Sequence, residues 1–221
     1  MIRPMRNTAT RRLVAATRAI VQGLVGIALV ALAALVLVPE ARAADPAAAP
    51  ITLEDQTIPG SARVASTELR LNGVGLRAAF IYTVYVAGLY LPTKAASGAD
   101  VLAQAGPKRL QMRMLMDGPS DEFAKAFTGG IRKRTPADQV AAMQSRIDDF
   151  DHTLRSVGDV KKGDIVNLDF APDVGLTMTL NGKAVGNPVP GADLYAALLE
   201  IFIGDRANDP KLKAGLLGVP G

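Results

Sequence analysis

Apolar side chains occupy both parities of Phe80 to Leu91, FIYTVYVAGLYL. Ile81, Thr83, Tyr85, Ala87, Leu89 and Leu91 share one face of an extended chain, and Tyr82, Val84, Val86, Gly88 and Tyr90 the other. This β-rich run, stopped by Pro92, predicts a strand covered on both sides. Upstream, Ile51 to Val64 reads as short strands or irregular chain around a Pro59-Gly60 turn. Glu68 to Arg77 alternates weakly, and Asn72-Gly73 predicts a turn within it. Downstream, Lys108 to Met116 sets Leu110, Met112, Met114 and Met116 on one face, opposite Arg109, Gln111, Arg113 and Leu115.

The period then lengthens. A short helix is expected over 95–105 with Ser97 as cap, and another from Ser120, with Ser120 as N-cap and Asp121 and Glu122 in its first turn. Pro136 opens a helix whose stripe is Val140, Met143, Ile147, Phe150, Leu154 and Val157. Period two returns at Ile165 to Phe170 and Leu176 to Leu180, with Asn181-Gly182 turning the chain toward Lys183. Asp193 to Ile203 reads as a helix ended by Gly204, and Asp209-Pro210 opens a last one ending near Gly218. Hairpin-linked strands with helices in blocks predict an α+β fold: a curved antiparallel sheet covered on one face by helices.

The first fifty residues have a different pattern. Five arginines in the first 18 residues precede an apolar run from Leu24 to Val38, and Ala41-Arg42-Ala43 follows. That order predicts a signal peptide over 1–43, cleaved after Ala43, with a flexible tether over 44–50 and one domain over 51–221. The protein is then periplasmic or secreted. An uncleaved anchor is the alternative, although a spanning helix needs about 20 apolar residues. The leader carries six arginines and one glutamate, so 19 basic and 20 acidic residues remain from Ala44 onward. The basic balance of the whole chain therefore belongs to the leader and does not argue for a nucleic-acid partner. No membrane span is expected after cleavage.

The chain has no cysteine, which excludes disulfides, a thiol nucleophile and zinc–thiolate sites. Its one histidine, His152, lies off the apolar stripe of its helix, so no metal site is expected. Gly73-Val74-Gly75 lacks the third glycine and βαβ setting of a dinucleotide fingerprint, and no cofactor is expected.

Two stretches are more specific: GVGLR with VYVAGLYLP, between Gly73 and Pro92, and ADLYAALLEIFIGDRANDPKLKAGLLG, from Ala192 to Gly218. With PDVGLTMTLNGKAVG between them, they resemble the chalcone isomerase-like superfamily, and within it the secreted bacterial branch. The resemblance implies an open-faced sandwich with a cleft between sheet and helices. In the plant enzymes that cleft closes a flavonoid ring; in the plastid fatty-acid binders it holds an acyl chain. In both, an arginine ending the GxGxR-like element faces the cleft, which here is Arg77. The enzyme's threonine on the next strand falls on Tyr85, and the fatty-acid binders carry a tyrosine in that region. The enzyme's tyrosine, lysine and asparagine fall on Glu122, Lys125 and Gly129, so only the lysine is kept. Its serine or threonine near the last long helix falls on Asp193.

The expected ligand-binding set is therefore Arg77, Tyr85, Lys125 and Asp193, with no confident catalytic residue. A sequestered guanidinium needs an anion, and three readings of Arg77 stand. Its partner is a ligand carboxylate, with the Tyr85 hydroxyl assisting; or it is Asp193, in a structural ion pair; or Arg77 extends into solvent. They correspond to an exported binder of a small amphipathic acid, a closed structural domain, and a chain with no cleft role for this residue. A chalcone isomerase-type lyase acting on an unsaturated ketone, with Arg77 and Lys125 stabilising an oxyanion, is a further alternative. Tyr82 and Tyr90 are expected to point away from the cleft.

Overall fold

The computed structural model describes residues 48–79, 81–207 and 209–219. The segment 1–43 read as a signal peptide, and most of the 44–50 segment read as a tether, lie outside them. A small hairpin, β1 (Ile51–Leu53) and β2 (Gln56–Ile58), precedes a seven-stranded sheet. The sheet contains β3 (Ser61–Val64), β4 (Thr67–Ala79), β5 (Tyr82–Leu91), β6 (Lys108–Met114), β7 (Ile165–Ala171), β8 (Gly175–Leu180) and β9 (Lys183–Val189). Each strand pairs antiparallel with its sequence neighbour. The helices are α1 (Gly98–Ala103), α2 (Ser120–Arg134), α3 (Ala137–Ala142), α4 (Gln144–Ser156), α5 (Ala192–Ile203) and α6 (Pro210–Leu216). This is the expected α+β open-faced sandwich.

The main core lies between the helices and one face of the sheet. Ala87, Leu89 and Leu91 of β5 and Leu110, Met112 and Met114 of β6 meet Phe127, Ile147, Phe150, Leu198 and Phe202. The other face carries a smaller core of Ile58, Leu69, Leu71, Val86 and Tyr90, partly roofed by the β1–β2 hairpin. Tyr90 donates its hydroxyl to the Pro59 carbonyl at 3.0 Å, and burial pushes its pKa up to about 12. On the same face β6 and β7 carry polar pairs: Arg109 bonds both oxygens of Asp169 at 2.6 Å, and Gln111 bonds Asn167. The double coverage of β5 follows its two apolar parities.

Three local expectations are corrected. Asn72-Gly73 does not turn the chain. β4 runs through it with a bulge, because the Asn72 side chain replaces strand pairing with buried bonds of its own. It donates to the carbonyls of Ala95 and Leu216, and accepts from the Ala95 amide at 2.8 Å. Asn72→Ala strands these groups and should cost about 2 kcal/mol in urea unfolding. Ser120 is the first helical residue rather than the N-cap; Pro119 holds that position without a side-chain bond. The helix after Pro136 divides at Met143, which is buried at the break between α3 and α4. Both stay anchored by the same stripe, so the break leaves its apolar face continuous.

The glycines of the GVG stretch have a packing role. α6 lies directly on β4. A Cβ on Gly75 would come 2.6 Å from the Leu212 carbonyl oxygen, and one on Gly73 would meet the Gly215 carbonyl. Only bare backbone lets helix and strand approach this closely. The N-terminus of α6 thereby comes to rest beside Arg77, two residues past Gly75.

Candidate functional site

Arg77 and Tyr85 are direct cross-strand partners on β4 and β5. The register shifts immediately beyond them: Arg77 faces Tyr85, but Ala78 faces Thr83. Val84 is thus an extra residue, and a bulge of this kind breaks alternation and re-aims side chains. Val84 and Tyr85 both turn toward the helices, and Tyr82 follows. Tyr82 was expected on the opposite face; it instead stands at the rim of a cavity, 59% exposed. Tyr90, beyond the reach of the bulge, keeps the expected face.

The cavity measures about 400 Å³ and lies between the hairpin, the end of β6 and three helices. Its sheet wall is Arg77, Ala79, Tyr82, Val84, Tyr85 and Met114. Its helix wall is Phe123, Ala126 and Phe127 of α2, Ile201 and Phe202 of α5, and Leu212 of α6. Phe127 links this wall to the core, its ring centroid 5.9 Å from that of Phe202 and 6.1 Å from that of Phe150. Met116, Asp117, Gly118, Pro119, Glu122 and Asp209 complete the lining.

Arg77 donates one bond to Asp209 at 3.1 Å. The other oxygen of Asp209 accepts the Leu212 amide at 3.0 Å and caps α6. One carboxylate therefore both starts the helix and holds the guanidinium, using one of its five donors. Tyr85 lines the cavity, and its hydroxyl has no hydrogen bond among the described residues. Burial raises its pKa well above the usual phenol range; the neighbouring Arg77 charge lowers it, and Asp209 raises it again. It is a neutral donor at any working pH. A guanidinium with donors to spare and a phenol stand side by side at a largely apolar hollow, an arrangement whose donors match the oxygens of a carboxylate.

The other two expected residues lie elsewhere. Asp193 does not meet Arg77. It takes a two-pronged ion pair from Arg146, at 2.5 and 2.7 Å, which holds its carboxyl below the usual range. It begins α5, whereas Ile201 and Phe202 reach the cavity about 12 Å further along that helix. Lys125 points to water and pairs with Glu122 at 2.8 Å. Phe123, Ala126 and Phe127 form the inward stripe of α2, and the helical repeat turns Lys125 away from it. Gly129 is exposed with open space beside it. Asp209 was read from sequence only as the start of a helix; its role opposite Arg77 depends on a contact across 132 residues. Tyr82 and Asp117 gave no signal as lining residues. Among the described residues no cluster of metal-ligating side chains occurs.

A family model described as chalcone isomerase-like matches residues 50–218. Among solved structures, a fatty-acid binding protein of Arabidopsis thaliana is similar, with a TM-score of 0.60 over 76% of this chain and 95% of that one. The two are 15% identical, so the likeness is one of fold. No curated protein matches the sequence.

Proposed function

The chain belongs to the chalcone isomerase-like family, and from that premise we propose that it is an exported binding protein for a small amphipathic acid of the fatty-acid kind. Arg77 and Tyr85 take the carboxylate, and the tail lies between Met114, Phe123, Phe127, Ile201 and Phe202. The observation that carries this reading is the pairing of Arg77 and Tyr85 across the hairpin in the wall of a hollow lined mostly by apolar side chains. The volume of about 400 Å³ falls in the range of small-ligand sites, roughly 300–1,000 Å³. The fatty-acid binding of the Arabidopsis protein agrees with it. Export rests on the basic, apolar, small-residue order of the leader. Ring-closing chemistry is less well supported, because Lys125 stands outside the hollow.

A series of straight-chain saturated acids tests the reading by calorimetric titration. Each methylene buried adds about 0.8 kcal/mol, so affinity should rise about fourfold per carbon until the hollow is full. Affinity independent of chain length, or the same for the matching alcohols as for the acids, would refute it. Denaturing mass spectrometry of protein taken from its native compartment should release a bound acid.

A further inference from the structure

Three of the six large apolar side chains that stand exposed among the described residues gather at one place. Ile81 is 88% exposed, Tyr82 59% and Met116 37%. Tyr82 and Met116 also line the cavity, and Ile81 adjoins Tyr82 at the end of the β4–β5 hairpin. The hairpin overreaches its sheet: the β5–β6 ladder ends at Tyr85 with Met114, leaving Tyr82 and Thr83 paired only with β4. Such a tip is free to enter another phase.

We propose that this tip is a lipid-bilayer contact, through which the cavity exchanges its acid with a membrane. The inference rests on the acid-binding reading of the cavity. Three side chains are far fewer than the roughly 20–30 residues a side of a stable protein interface. An aliphatic residue beside a tyrosine suits the boundary between head groups and acyl chains, where the ring body is buried and the hydroxyl stays wet.

The charges around the mouth agree. Each nearby acid is covered by a cation: Asp209 by Arg77, Glu122 by Lys125, Asp117 by Lys161 at 3.4 Å, and Asp121 by Arg155 at 2.5 Å. With its acids paired in this way, the rim does not repel anionic head groups. Insertion of apolar side chains is the driving force, so binding should depend little on lipid charge. An acid leaving the bilayer beside Tyr82 and Met116 would enter the hollow without exposing its tail to water.

The test uses the mature protein with vesicles of phosphatidylcholine, alone or mixed with phosphatidylglycerol. The wild type should co-float with both. Ile81→Asp should lower the vesicle partition coefficient about tenfold or more and slow the transfer of a fluorescent acid from vesicles to protein. Ile81 does not line the cavity, so affinity for the same acid free in solution should be unchanged. The chain has no tryptophan, so Ile81→Trp supplies a single indole, whose emission should shift to the blue when vesicles are added. Intact acid affinity with no wild-type flotation, or with no indole shift, overturns the membrane contact and leaves the cavity reading standing. Flotation with no acid affinity removes the cavity reading and the exchange with it. A wild-type dimer that Ile81→Asp dissociates would make the tip a protein interface instead.

Discussion

Arg77→Ala should lower affinity for a long-chain acid on the order of 100-fold, about 2.7 kcal/mol, while leaving the fold nearly as stable as before. The first half follows from the loss of charge-assisted bonds to the ligand carboxylate. It also follows from what stays behind: Asp209, its side chain only 15% exposed, would face the incoming carboxylate uncovered. The second half follows from geometry. Arg77 makes one bond to Asp209, at 3.1 Å, and its side chain is 31% exposed. A pair of that kind, partly screened by solvent, is worth about 1 kcal/mol or less. Asp209 would still cap α6 through the Leu212 amide. Arg77→Lys should fall between, since it keeps the charge and loses the planar fork. Calorimetric titration and urea unfolding on the same samples decide the matter. A stability loss of about 3–5 kcal/mol with unchanged affinity would make Arg77 a structural ion of the kind whose removal orphans a buried charge. No change in either measurement would remove it from the site.

Gly75→Val should destabilise the protein by about 4 kcal/mol. Overpacking costs about 1–3 kcal/mol where side chains can shift aside. Here the new Cβ would come 2.6 Å from the Leu212 carbonyl oxygen and 3.1 Å from its Cα, so a whole helix must move. Displacing α6 takes Asp209 and Leu212 with it, so acid affinity should fall in whatever fraction remains folded. Gly129→Ala is the control of opposite sign. Gly129 lies inside α2 with no atom within 4 Å of the added methyl, and a glycine in a helix interior is worse than alanine by about 0.5–1 kcal/mol. The urea midpoint should therefore fall sharply for the first variant and rise slightly for the second. A Gly75→Val protein of normal stability would mean that the GVG stretch does not hold α6 against the sheet.

The membrane contact and the cavity share the β4–β5 hairpin, and both depend on its bulge. Because Val84 is an extra residue, the last turn of alternation is reversed. Tyr82 then comes to the same side as Tyr85, so the Arg77–Tyr85 pair and the apolar rim face one opening.

Most of the architecture is legible in the chain. The apolar face of β6, the stripe of α4, the Ser97 cap of α1 and the Asp209 start of α6 are local patterns, fixed within a turn or a few residues of strand. Arg77 and Tyr85 could be named as candidates because the GxGxR-like element and the following strand carry a family resemblance. Lys125 and Asp193 lie away from the cavity for a geometric reason. A matching position in an alignment does not say which way a helix is rolled, or how far along it the cavity lies.

By itself, the order of residues determined the periodicities: which segments are strands, which are helices, and which of their faces are apolar. Those depend on neighbours one to four residues apart. Only the tertiary structure decided which anion Arg77 meets, where the bulge turns Tyr82, and whether space remains beside them. Each of these is set by backbone register between segments far apart in the chain, and a shift of one residue in that register sends a side chain to the opposite face.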